Sequence, residues 1–300
     1  HGGGWAAGRK AGGPGARLSA RGYAVASIDY RLSGEAIFPA QIEDCKAAVR
    51  WLRANAAKYN VDPERFAAWG SSAGGHLVAL LGTSGGVKDL EGSLGNPGQS
   101  SGVQAVIDFF GPTDLLQMDT QAARNPDVVS KIKHDDPKSP ESRLIGGPIQ
   151  ENREKAARVN PIAYITRDDP PFLIMHGDRD PLVPLDQSRI LYDALRAQAV
   201  EATFHIVKGG GHGFGGPEID SMVEDFLQRQ LRARSGRRPG AAEPGAAETN
   251  APPQWVKPPI EAIHVQHHTF QSRFVNGPVS YLTYLPPDYE NSNRRYPVMY

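Results

Sequence analysis

The chain has 300 residues, enough for one large or two ordinary domains; 39% are hydrophobic and 22% charged, the balance of an ordinary globular chain. Lys and Arg number 33, as do Asp and Glu, so no net charge draws the chain to nucleic acid or to an acidic membrane surface. No apolar run approaches the roughly 20 residues of a spanning helix, and a single cysteine, Cys45, excludes an internal disulfide and any cysteine-built metal site.

The chain opens on HGGGW (1–5), a glycine loop with no predicted strand ahead of it. YAVASIDY (23–30) is a short apolar run that ends in polar residues, which predicts a buried strand. The following stretch, 38–59, carries Ile42, Cys45, Val49, Leu52 and Ala56 at three- and four-residue steps, which predicts a helix with Pro39 in its first turn. RFAAWG (65–70) predicts a strand, AGGHLVALLGT (73–83) a helix, and VQAVIDFFG (103–111) another strand. From 114 to 169 the pattern weakens into a polar stretch, read as an insertion over the top of a sheet, where loops carry specificity. PPFLIMHG (170–177) and ATFHIVKG (202–209) predict two more strands, and 218–231 a closing helix with Met222, Phe226 and Leu227 on one side. Strands alternating with helices argue for an α/β fold with a mostly parallel sheet and helices on both faces.

Residues 233–258 are poor in large apolar side chains and rich in Ala, Gly and Pro, the composition of a flexible linker. Beyond them HHTFQSRF, VSYLTYLP and RYPVMY predict three strands. The organisation read from this is a first domain at 1–232, a linker at 233–258 and the start of a second unit at 259–300.

Three motifs carry chemistry. GSSAG (70–74) fits G-x-S-x-G with Ser72 at its centre, between a predicted strand and a predicted helix. That is the setting of a nucleophile elbow: a sharp turn that exposes Oγ, with helix N-terminal donors behind it. HGDRDPLVP (176–184) follows an apolar strand and contains Asp180, with Asp178 a rival acid two residues earlier. GGGHGF (209–214) follows the next strand and contains His212. The order Ser72, Asp180, His212 is that of α/β-hydrolases, and each lies just past a predicted strand, where open α/β sheets bind ligands. The roles expected are nucleophile for Ser72, general base and acid for His212, and imidazole orienter for Asp180. Gly2 and Gly3 of the opening loop, with Ala73 after the nucleophile, are the expected oxyanion-hole donors. His76 is expected to pack rather than react. His264, His267 and His268 sit in a predicted strand without helical spacing, so no metal is expected there, and Cys45 reads as inert core. Trp5, Phe38 and Phe214 are candidates for an acyl or aromatic pocket and equally for ordinary core.

Together HGGGW, DYRLSGEAIFPAQIEDCKAAVRWLRANAAKY, WGSSAGGHLVALLG, HGDRDPLVP and GGGHGF resemble α/β-hydrolase esterases of the acetylesterase and bifunctional feruloyl/acetyl-xylan esterase kind, near the hormone-sensitive-lipase-like group. The resemblance covers about 1–232. It implies cofactor-free hydrolysis of short acyl or feruloyl esters, on a small molecule or a plant cell-wall polysaccharide, and a secreted or periplasmic setting. A prolyl-oligopeptidase-like serine peptidase and a silent binding module are the competing readings; oligomeric state stays open. SYLTYLPPDYENSNRRYPVMY resembles the start of a second esterase, of the esterase-D or feruloyl-esterase type.

In such hydrolases HGGG follows the third strand, and 1–232 shows no strand before it. The expectation is a fragment of a tandem esterase whose N-terminal part lacks its first three strands. The C-terminal segment holds three predicted strands, which leaves two readings open: RYPVMY fills the gap between 23–30 and 65–70, as in a circular permutation, or it hangs loose as part of an unfinished domain.

Overall fold

The structure, a computed structural model, describes residues 1–11, 15–231, 265–272, 277–285 and 296–299. After the glycine loop come α1 (Gly15–Ser19), β1 (Ala24–Ile28), α2 (Ala40–Ala54), β2 (Val61–Ser71) and α3 (Ala73–Thr83). Next are α4 (Lys88–Glu91) and β3 (Ala105–Phe109). The polar stretch 114–169 forms α5 (Met118–Ala123), α6 (Pro140–Ile145), α7 (Arg153–Val159) and short 3-10 turns. The chain continues through β4 (Phe172–Gly177), α8 (Leu185–Ala197), β5 (Ala202–Val207) and α9 (Pro217–Gln230). The C-terminal strands are β6 (Val265–Ser272), β7 (Gly277–Tyr284) and β8 (Tyr296–Met299).

All eight described strands join one sheet in the order β5-β4-β3-β2-β8-β1-β7-β6. The run from β5 to β1 is parallel, and β7 pairs antiparallel with β1 and β6. β8 lies between β1 and β2: Val298 is opposite Ala24 on one side and Phe66 on the other. The gap expected between the strands at 23–30 and 65–70 is thus filled from the far end of the chain. The expected linker, 233–258, lies outside the described residues. The described strands of 259–300 belong to the same sheet as 1–231.

Strand alternation divides the core into two faces. Ala24, Phe66, Ala68, Val106, Phe172, Ile174 and Val298 point to one face, where Ile42, Leu77, Leu80, Leu191 and Leu195 from α2, α3 and α8 cover them. Val25, Ala67, Ile107, Leu173 and Met175 point to the other, beneath Leu18 of α1 and Ile219, Val223, Phe226 and Leu227 of α9. A parallel sheet buried on both sides needs apolar residues at successive positions, which is why these strands read as continuous runs.

Several boundaries differ from expectation. The helix expected over 38–59 stops at Ala54, where the Asn55 side chain donates to the Trp51 carbonyl and draws the chain out of the helix. The strand expected at 65–70 extends back to Val61 through a register irregularity. Helix α8 has no counterpart in the sequence reading. On α9 the buried side is Ile219, Val223, Phe226 and Leu227, with Met222 at its margin.

Candidate active site

Because β1 to β5 run parallel, the residues after their carboxyl ends gather along one edge of the sheet. Ser72 follows β2 and opens α3, with φ 55° and ψ −124°. A side chain held in that region costs on the order of 1–3 kcal/mol, a strain typical of functional turns. The turn is tight enough that a Cβ on Gly70 would run into the Gly74 carbonyl, and one on Gly74 would lie 2.7 Å from the carbonyl oxygen of His1. Glycine at 74 therefore lets the serine turn press directly against the opening loop. The backbone N–H of Ser72 donates to the Phe109 carbonyl at 2.8 Å, tying the turn to β3.

His212 comes from the loop after β5. Its Nε2 lies 3.0 Å from Ser72 Oγ and its Nδ1 2.8 Å from Asp180 Oδ2. Asp180 is buried, and its Oδ1 accepts from the backbone N–H of Leu182 at 2.8 Å and Val183 at 3.0 Å. His176, at the end of β4, places Nε2 3.3 Å from Asp180 Oδ2. Burial pushes the Asp180 carboxyl up, but hydrogen bonds from His176, His212 and the Val183 N–H outweigh it and hold the group well below the usual carboxylate range. An ionised Asp180 keeps the proton on His212 Nδ1 and leaves Nε2 free to accept from Ser72. Asp178, the rival acid, turns away to accept from the Gly209 N–H at 2.6 Å. The Phe110 ring, 4.7 Å from that of His212, backs the imidazole.

The opening loop lies beside this chain of side chains. Gly3 sits at φ 115°, where a Cβ would strike the Ala7 carbonyl. The loop is clamped by residues just past β1: Tyr30 Oη donates to the His1 carbonyl at 2.8 Å, and the Ser33 N–H donates to the Trp5 carbonyl at 2.7 Å. Trp5 Nε1 donates to His76 Nδ1 at 3.2 Å, and His76 Nε2 bonds the Val159 carbonyl at 2.7 Å. Burial lowers the His76 pKa to about 4, so the ring is neutral and acts as a brace between loop, α3 and α7. Gly2, Gly3, Ser72, Ala73 and His212 together line an open cavity of about 550 Å³.

The structure thus brings Gly2, Gly3, Ser72, Ala73, Asp180 and His212 to one place. Trp5 also lines the cavity, whereas Phe38 belongs to the core and Phe214 packs on Phe109 and Phe110. Sequence reasoning missed Tyr30, Phe110, His134 and Glu141. Tyr30 carried a signal, because DYRLS directly follows the first strand. Phe110 lies at the end of the strand predicted over 103–111, where nothing marked it as facing the site, while His134 and Glu141, the latter on the six-residue α6, fall in the polar stretch 114–169 that has no period to read. His264 lies outside the described residues; His267 and His268 fall on β6. Among the described residues no group of His, Cys, Asp and Glu is arranged to hold a metal, and no helix is long and apolar enough to cross a membrane.

Residues 1–195 match the BD-FAE family. Esterase LipC of Mycobacterium tuberculosis (strain ATCC 25618 / H37Rv) is 34% identical over 228 residues, which cover 73% of this chain and 53% of LipC. The chain spans about half the length of the curated relatives it matches. Among solved structures, a bifunctional GH43-CE protein of Bacteroides eggerthii is 43% identical with a TM-score of 0.62, covering 69% of this chain and 29% of that one. A truncated form of a carbohydrate esterase from gut microbiota is 41% identical with a TM-score of 0.62, covering 68% of this chain and 73% of that one. The family match takes in the opening loop, the serine turn and the aspartate loop, and the sheet order supplies the frame on which they meet: the chain belongs to the BD-FAE family and carries the α/β-hydrolase fold.

Proposed function

We propose that this protein is a serine esterase that removes an acetyl or feruloyl group from a carbohydrate alcohol through an acyl-enzyme. The observation that carries the reading is the unbroken hydrogen-bond chain Ser72–His212–Asp180, with links of 3.0 and 2.8 Å. Ser72 Oγ attacks the ester carbonyl carbon while His212 Nε2 takes its proton. The carbonyl oxygen becomes an oxyanion, received by backbone N–H groups of Gly2, Gly3 and Ala73. His212 returns the proton to the alcohol oxygen as the C–O bond breaks, and the alcohol leaves. Water, deprotonated by His212, then attacks the acyl carbon and frees the acid and Ser72. Asp180 holds the imidazole tautomer and stabilises the imidazolium. The names of the relatives support an ester substrate, and that of the solved carbohydrate esterase favours a carbohydrate alcohol.

The test is release of 4-nitrophenol from 4-nitrophenyl acetate, with methyl ferulate and acetylated xylan in parallel. Ser72→Ala is expected to lower kcat on the order of 10⁶-fold while the protein stays folded. A folded wild type that turns over none of these esters overturns the reading.

A further inference from the structure

Two ionisable side chains in the cavity wall have no task in this mechanism. His134 and Glu141 come from the polar stretch 114–169, line the cavity that holds Ser72 and His212, and are 1% and 4% exposed. His134 Nδ1 bonds Glu141 Oε1 at 2.8 Å. That leaves His134 Nε2 and Glu141 Oε2, both buried and both without a hydrogen-bond partner. An unsatisfied buried polar atom costs about 1–3 kcal/mol, and more when charged. Two of them beside Ile132 and Pro140 in one wall are costly unless something bonds to both.

The pair is not needed to place its own backbone. The Asp119 carboxylate accepts from the N–H groups of His134 and Asp135, each at 2.9 Å, and Ser139 caps α6 by accepting from the Ser142 N–H at 3.0 Å. Burial disfavours a charged His134, but the hydrogen bond and charge of Glu141, helped by Asp119 and Asp135, outweigh it and raise the His134 pKa. With Nδ1–H donating to Glu141, Nε2 is a donor when the ring is protonated and an acceptor when it is neutral, and Glu141 Oε2 beside it is an acceptor. Ligand cavities are mostly apolar, with a few such groups to fix orientation.

We infer that His134 and Glu141 form a polar subsite that binds hydroxyl groups of a carbohydrate ester, the imidazole bonding one hydroxyl through Nε2 and the carboxylate accepting from a neighbouring hydroxyl. Both free atoms are shielded from solvent as the side chains stand, so engagement requires the side chains to turn them into the cavity. The inference rests on the esterase reading and adds the residues that select the alcohol.

The test compares kcat/KM for an O-acetylated methyl xyloside and for 4-nitrophenyl acetate, which has no hydroxyl groups to bind. Wild type, Glu141→Gln and the double variant His134→Phe/Glu141→Leu are measured, with melting curves to check folding. The double variant removes both polar partners together, a change that leaves no orphaned atom. The ratio of sugar ester to nitrophenyl ester is expected to fall about tenfold or more in both variants, mostly through KM. An unchanged ratio, or an equal loss on both substrates, overturns the subsite and leaves the esterase reading standing. If the wild type cleaves no ester, the esterase reading falls first. Calorimetric binding of methyl xyloside to wild type and Glu141→Gln then decides the subsite, and equal binding overturns it.

Discussion

The two halves of the sheet are built in opposite ways. On one side, β2, β3, β4 and β5 lie in the order in which the chain makes them, and Ser72, Asp180 and His212 all sit at their ends. On the other, β8, β1, β7 and β6 bring opposite ends of the chain together, with Val298 between Ala24 and Phe66. The glycine loop belongs to this second half, clamped by Tyr30 and Ser33 just past β1. The first half is assembled through crossovers between strands consecutive in the chain, whereas the second must bring β8 back to β1 and β2 from the far end of the chain before that pairing is returned. The proposed chemistry is divided along the same line: nucleophile, base and acid on the sequential half, and two of the oxyanion donors on the half that depends on long-range closure.

The comparison can be broken at its strongest point first. Asp180→Asn leaves the sequential half folded but lets His212 take the wrong tautomer, so kcat is expected to fall about 10⁴-fold. Asp178→Asn, which only loosens the Gly209 turn, is expected to leave kcat near wild type. Reversed effects in the same steady-state assay would move the acid from Asp180 to Asp178.

On the other half, Val298→Asp buries an unpaired charge between β1 and β2. Such a charge costs about 3–5 kcal/mol, which lowers the melting temperature by roughly 10 °C in a domain of this size. A melting curve identical to wild type would mean that β8 does not contribute to the fold in solution.

Gly74→Ala probes the seam between the halves, because its Cβ would press on the His1 carbonyl at 2.7 Å. Small displacements of catalytic groups cost up to about 100-fold. A drop in kcat of roughly ten- to a hundredfold with little change in KM is therefore expected. Loss of stability without loss of kcat would argue that the loop is a brace and not part of the reaction.

The smallest effect is a pH slope in the sequential half. Asp108, fully buried at the end of β3, accepts from the Gly111 N–H at 2.9 Å through Oδ1, while Oδ2 has no partner. Burial, partly offset by that hydrogen bond, raises its pKa from 3.8 to about 7. The folded state therefore holds a proton that the unfolded chain releases. That contribution to stability is complete below pH 3.8 and is lost as pH rises through about 7. Relative to Asp108→Asn, the wild-type melting temperature should fall between pH 4 and 7; parallel curves would show that Asp108 does not titrate there.

Much of this molecule was legible before any coordinates. The strand ends that hold Ser72, Asp180 and His212 are marked by local pattern: an apolar run, then glycine, then within a few residues the serine, acid or histidine that the proposed chemistry uses. Their order along the chain reflects the sequential half of the sheet. Gly2 and Gly3 were legible as a place of close backbone approach, and in the structure a Cβ on Gly3 would strike the Ala7 carbonyl. Asp180 was favoured over Asp178 from the sequence, although both follow the same strand two residues apart and no local period separates them. Which carboxylate meets His212 depends on how the loop after β4 turns, through the Leu182 and Val183 N–H groups.

The sequence by itself determined the α/β alternation, the serine turn and the order of Ser72, Asp180 and His212, because these are written in patterns among residues near in the chain. Only the tertiary structure decided between the two readings open for β8, and it alone supplied the brace from Trp5 through His76 to Val159 and the meeting of His134 and Glu141 in the wall of the cavity. Each joins segments with no shared period and long stretches of chain between them or irregular backbone around them. Their partners are set by how the sheet closes and how the insertion folds over it, and a one-dimensional pattern carries no record of either.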